Sequence, residues 1–324
     1  MNQNSSLNQA YSDLSRLGRG EITAESHAQI KKALTGSKSL LVSKAADIAA
    51  AKDLQDLVPE MIKAFERLME KGPDSDKGCR AKTSIVRALN KLEHIGASVF
   101  LAGARYVQME GSFGPPEDTA VDVRSESAMG LARINHPDVH FILADLLVDK
   151  EMVVRIATIK ATTYLGDPES ELMLRLKALC GDKPEVLGEC FLGLMTMSPK
   201  RSLDFIARYL RSPDPLVVEG AAIAAGNSHL PEALQLLMQT WETNPRSDVR
   251  RAILLPIALI RSDDAFEFLV QVLGESDVKT GMDALTALSL YAGDSYRAKV
   301  HNCVKKINNP SILGRYNELF GVNG

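Results

Sequence analysis

From residue 121 onward, stretches in which apolar residues recur every three or four positions alternate with short polar breaks. Recurrence at i, i+3, i+4 and i+7 gathers apolar side chains on one face of an α-helix. Pro137, Pro168, Pro199 and Pro231 each precede such a stretch, at steps of 31, 31 and 32 residues. Proline costs little in a first helical turn, where its missing N–H would be unpaired anyway and its fixed φ suits the turn. Near Asp263 and Asp294 the phase continues without proline, on an acidic residue suited to a cap or first turn. The spacing predicts one helix restarting at the same phase through six units. Ahead of the restarts lie first helices, including "DVRSESAMGLARI" from Asp122, "MVVRIATIKATTYL" from Met152, "LVVEGAAIAAG" from Leu216 and "SDVRRAILLPIAL" from Ser247.

Upstream the pattern is looser. "VSKAADIAAAKDL" from Val42 and "CRAKTSIVRALNKL" from Cys79 read as first helices; "DLVPEMIKAFERLMEKG" from Asp56 and "ASVFLAGARYVQME" from Ala97 read as second ones. The organisation expected is a polar segment and capping helix over 1–38, irregular pairs over 39–110 and an inserted loop at 111–120. Regular pairs follow over 121–307, then a capping helix over 308–324. The insert is "GSFGPPEDTAVD", whose glycines and prolines cannot continue a helix. Helix pairs this short cannot each enclose a core, but stacking buries a continuous seam. The fold class predicted is all-α: an α-solenoid of about eight antiparallel helix pairs.

The "DVR…", "MVVR…" and "SDVRR…" stretches place Arg124, Arg155 and Arg250 in one register. They resemble the short HEAT-like repeats seen in phycobilisome lyases and many bacterial HEAT-repeat proteins, which implies a solenoid of the HEAT-like or armadillo type. The resemblance implies that these arginines hold neighbouring repeats together. It speaks to fold far more than to function, because the family spans scaffolds, lyase subunits and a few enzymes. Three functions follow as expectations. The first is a non-enzymatic scaffold or adaptor that binds another protein. The second is a phycobilin lyase-like or chaperone-like subunit acting on a chromophore-bearing protein. The third, a nucleic-acid-binding protein of the HEAT-like DNA glycosylase type, is disfavoured by charge. Iron-dependent deoxyhypusine hydroxylases of similar length and fold need several His-Glu dipeptides, and this chain has none.

Composition changes the picture little. Hydrophobic residues make up 45%, and the net charge of −3 gives no global basic footprint for phosphate. The polar start does not read as a signal peptide, and no apolar run is long enough for a membrane span, so a cytoplasmic protein is expected. Cys79, Cys180, Cys190 and Cys303 lack ligand spacing and read as reduced thiols; no cofactor is expected. His136 and His140 share a helical face, but with His136 at a cap and no third ligand nearby they are not read as a metal site. The remaining candidate is the outer face of the second helices. It pairs Phe141 with Asp145, Met173 with Lys177, Asp204 with Arg208, Gln235 with Gln239 and Glu267 with Gln271, each at i, i+4. Its apolar end, Phe141 and Met173 with Phe100 adjoining, is the expected anchor for a partner, with the 111–120 loop as a lip.

Overall fold

The computed structural model describes residues 2–111 and 114–321, and divides into two compact units, Met1–Leu165 and Gly166–Gly324. Nineteen α-helices account for nearly all regular structure among the described residues.

The first unit runs α1 (Asn2–Leu17), α2 (Ala24–Thr35), α3 (Ser39–Ala51), α4 (Val58–Lys71), α5 (Arg80–Lys91) and α6 (Ser98–Ala104). Strands β1 (Met109–Glu110) and β2 (Glu117–Asp118) follow, then α7 (Val121–Arg133), α8 (Val139–Leu146) and α9 (Met152–Leu165). The odd-numbered helices pack one on the next. Buried alanines such as Ala45, Ala49, Ala81 and Ala88 allow their close approach. This is α-solenoid packing: each seam is closed by the neighbouring pair, so apolar burial accumulates along the row.

Three expectations change in this unit. The N-terminal polar segment is itself helical, as α1. Helix α6 stops at Ala104, seven residues long, because Tyr106 and Gln108 turn away into β1. Phe100, expected at an exposed apolar end, is fully buried.

The insert is also more than a loop. β1 and β2 pair antiparallel, Met109 opposite Asp118 and Glu110 opposite Glu117; Ser112 and Phe113 lie outside the described residues. Under the hairpin lies a buried polar network. Asp76 accepts from the backbone N–H groups of Ala81 and Lys82, both at 3.0 Å, and so caps α5. The fully buried Lys82 donates to Gln108 Oε1 at 3.0 Å and stands 3.6 Å from Asp76. Glu110 accepts from Gly78 N, Gln108 Nε2 and Thr119 Oγ1 at 2.6–2.7 Å. Arg124 closes the arrangement: it grips Asp149 through Nε at 2.9 Å and Nη2 at 3.2 Å, Asp118 at 2.7 Å and the Tyr106 carbonyl at 2.8 Å. A buried cation is tolerated only when paired and hydrogen-bonded in this way. The arginine phase thus ties the α8–α9 turn to the hairpin, a structural use.

The second unit opens on α10 (Pro168–Cys180). The pairs α11 (Pro184–Met197) and α12 (Pro199–Ala207), α13 (Pro215–Gly226) and α14 (Pro231–Thr243), α15 (Ser247–Leu259) and α16 (Asp263–Glu275), and α17 (Val278–Leu288) and α18 (Asp294–Ile307) follow. Helix α19 (Pro310–Phe320) ends it, packed on α17. Pro168, Pro199 and Pro231 occupy the first turns of α10, α12 and α14, whereas Pro137 stands in the turn before α8. Side chains supply other starts: Asp167 Oδ1 accepts from Ser170 N at 2.8 Å, and Ser262 Oγ from Ala265 N at 3.2 Å. Helices α13 and α15 approach so closely that a Cβ on Gly226 would lie 2.3 Å from the Pro256 carbonyl oxygen. Only glycine fits there.

Candidate partner-binding face

Helix α10 is built inside out. Its buried residues are Ser170, Glu171, Leu174, Lys177 and Ala178, so two charged side chains point into the packing. Both are held. Glu171 accepts from Ser198 Oγ at 2.8 Å and faces Arg201 at 3.5 Å and Arg175 at 3.8 Å; Lys177 Nζ meets Asp182 Oδ2 at 2.6 Å. Arg175 also lies 4.8 Å from the Phe205 ring centre and donates to the Arg201 carbonyl at 3.2 Å, fastening α10 to α12. With this mixed stripe turned inward, an apolar one faces out. Leu172, Leu176 and Leu179 are 68%, 63% and 62% exposed, at i, i+4 and i+7 on one face.

Next along the second helices is a basic stretch. Lys200, Arg201, Arg208 and Arg211 of α12 and its extension are exposed, against one carboxylate, Asp204. Between α12 and α14 lies a cleft of about 620 Å³, lined by Asp204, Arg208 and Arg211 on one wall and Gln239, Thr240 and Asn244 on the other. Between α14 and α16 a second cleft, of about 520 Å³, is more apolar, with Leu234, Met238, Ile260 and Phe268 among Gln235, Glu267 and Gln271.

The predicted outer residues can now be placed. Asp204, Arg208, Gln235, Gln239, Glu267 and Gln271 are exposed and line these two clefts; Glu267 is engaged by Lys299. In the first unit, Phe141 (76% exposed) and Asp145 stand outward on α8. On α10 the expectation needs correcting. Lys177 is buried against Asp182 and Met173 is half-buried, because the outer register is one residue earlier, at Leu172 and Leu176. Phe141 and Gln235 lie four residues after Pro137 and Pro231, as Leu172 does after Pro168, whereas the outward Asp204 lies five after Pro199, so the proline alone does not fix the outer register.

The other candidates have structural surroundings. Arg155 donates to the carbonyls of Asp149 and Lys150 at 2.8 and 3.0 Å. Arg250 lies 5.7 Å from the centre of the half-buried Trp241 ring, which meets Phe268 edge-on. His136 Nδ1 accepts from Asp138 N at 3.1 Å in the turn before α8. Among the described residues no group of three or more His, Cys, Asp or Glu side chains converges on a point that could hold a metal ion. Burial pushes the Cys79 thiol up to about 11 and the Cys190 thiol up to about 12, so neither is a thiolate at neutral pH. No described helix is long and apolar enough to cross a membrane.

Residues 172–258 match the family model for HEAT repeats. No curated protein matches the chain by sequence. Among solved structures, the complex of CpcE and CpcF of phycocyanin lyase from Nostoc sp. PCC7120 is similar at 15% identity and a TM-score of 0.36, over 89% of this chain and 96% of that one. Human deoxyhypusine hydroxylase in complex with glycerol is similar at 14% identity and a TM-score of 0.32, over 79% and 98%. An engineered protein is similar at 16% identity and a TM-score of 0.39, over 100% and 97%. Likenesses this distant bear on neither activity nor partner. The leucine row, the basic stretch and the cleft between α12 and α14 all fall within the residues, 172–258, that match the HEAT-repeat model.

Proposed function

We propose that this protein is a non-enzymatic scaffold that holds a partner protein on the outer face of its second helices. The observation that carries the reading is the inversion of α10, which keeps Glu171 and Lys177 inside and presents three leucines to solvent. A helix in a water-soluble stack gains nothing from that orientation in isolation, since burying a leucine stabilises by about 1.5–3 kcal/mol. Clustered exposed apolar side chains of this kind mark contact surfaces, and such anchors carry much of an interface's affinity. The polar residues of the neighbouring clefts, Gln235, Gln239 and Gln271, suit the hydrogen-bonding rim that surrounds such a core. In the first unit, Phe141 and Asp145 on α8 are proposed as contacts in their own right.

The test is capture from the native host on the immobilised full chain, comparing the wild type with the Leu172→Asp/Leu176→Asp variant. A partner retained by the first and lost by the second, with helicity unchanged by circular dichroism, is the expected result. Retention by both proteins would remove the leucine row from the interface.

A further inference from the structure

The basic stretch beside the leucines specifies the partner's chemistry. Resting on the scaffold reading above, we propose that the docking segment is an acidic amphipathic helix whose apolar stripe lies on Leu172, Leu176 and Leu179 and whose carboxylates reach Arg208 and Arg211. Helices α10 and α12 are fastened side by side through Glu171, Arg175 and Arg201, so one ligand can touch both. Arg175 of α10, within the leucine row, and Arg208 at the end of α12 both lie against the Phe205 ring, 4.8 and 5.8 Å from its centre, which brings Arg208 to the leucine row; Arg211 follows three residues later. Residues 199–211 hold four cations, Lys200, Arg201, Arg208 and Arg211, and one anion, Asp204, in a chain whose net charge is −3. Attraction for an acidic ligand is therefore local to this face.

The helix dipole accounts for part of the arrangement, since cations are favoured at a helix C-terminus, where α12 places Arg208 and Arg211. It does not account for the opposite wall, where Gln239 and Asn244 add amide groups to the same cleft. Asn244 Oδ1 already accepts from Arg246 N at 3.0 Å, which leaves its NH2 group for an acceptor. Among the described contacts Arg208 has only the Phe205 ring beneath it, 5.8 Å away, and no carboxylate within ion-pair reach. Guanidinium groups placed this way take carboxylates through paired N–H donors. The leucines beside them decide between ligand classes. A nucleic acid calls for a continuous basic track and has no use for three outward leucines. An amphipathic helix uses both features, by laying apolar anchors on the leucines and acidic flanks on the arginines.

The experiment uses the full chain and three synthetic helical peptides of about 18 residues. One has a leucine stripe flanked by glutamates, one the same stripe flanked by lysines, and one alanines in place of the leucines with glutamates kept. Binding is read by fluorescence anisotropy at low and high salt. The glutamate peptide is expected to bind about ten-fold tighter than the lysine peptide, with the advantage shrinking as salt rises. Arg208→Glu/Arg211→Glu is expected to reverse that preference, and Leu172→Gln/Leu176→Gln to weaken both leucine peptides. Equal binding of the acidic and basic peptides, with charge reversal without effect but the leucine variant deficient, would overturn the acidic-helix inference and leave the scaffold reading standing. Absence of any peptide binding would overturn it too, with host capture still deciding the scaffold reading. Binding of duplex DNA that needs the arginines and ignores the leucines would assign the face to a different class of ligand.

Discussion

Helices α10 and α14 both bury a leucine and an alanine, yet they divide the rest of their polar and apolar residues differently between inner and outer faces. α14 buries Ala233, Leu234 and Leu237 and shows Gln235, Gln239 and Glu242 to solvent. α10 buries Ser170, Glu171, Leu174 and Lys177 and shows Leu172, Leu176 and Leu179. The second helix of a pair must therefore supply a stripe that packs, which can be apolar or an internally satisfied set of charges. The face left over is free to vary. On α14 that face is polar; on α10 it is apolar.

The comparison can be attacked at several strengths. Truncating the inward leucines should do most damage: Leu237→Ala on α14 and Leu174→Ala on α10 should each cost about 3 kcal/mol in urea unfolding, because both leave cavities in full packing. A much smaller loss for Leu174→Ala would mean that α10 is docked more loosely than α14. Next, Lys177→Met keeps the aliphatic stem but leaves the Asp182 carboxylate, itself about 10% exposed, with one cation fewer. The loss should be roughly 2 kcal/mol, below the full penalty for a deeply buried pair because the pair lies at the rim. No loss at all would show that charges inside α10 are incidental.

A comparable effect is expected from alkali. Desolvation in the packing pushes the Cys190 thiol from about 9 to about 12, with Asp182 and Glu189 adding to the rise and Lys177 opposing it. The folded state then keeps its proton where the unfolded chain has lost it. This contribution is complete below pH 9 and is lost as pH climbs towards 12, about 2 kcal/mol of it by about pH 10.5. The slope of stability against pH over that range should flatten in Cys190→Ala; an unchanged slope would place its origin in other groups, such as Cys79 or Tyr291, whose acidities are also lowered by burial. Meanwhile Cys180, exposed at the end of the leucine row, should react with a thiol reagent in the native state while Cys190 reacts only on unfolding.

The repeat was legible in the sequence because the same physical need, a helix start, recurs at a fixed distance and draws on the same few residues. Pro168, Pro199 and Pro231 start helices for the reason that their spacing suggests, and Asp263 and Asp294 begin α16 and α18. What stayed hidden depends on partners distant in the chain. Nothing local to Lys82 announces that Gln108 and Asp76 will enclose it, or that Arg124 will join Asp118 to Asp149. Helix α1 carries apolar residues at helical spacing, Leu7, Tyr11 and Leu14, but so few among its Asn and Ser residues that the stretch reads as a polar segment. In "ELMLRLKALC" hydrophobicity argues that the leucines go inside; Leu174 does, but Leu172, Leu176 and Leu179 do not, because the ion-paired Glu171 and Lys177 share the inner stripe with Leu174.

The smallest expected effect tests the account most directly. Transplanting the outer face of α14 onto α10, as Leu172→Gln/Leu176→Gln/Leu179→Glu, and measuring the urea unfolding free energy asks whether those leucines belong to the fold. The account predicts a change within about 0.5 kcal/mol per site, the range of ordinary surface substitutions. A loss of several kcal/mol would show the leucines to be core, and α10 would then offer no face to a partner.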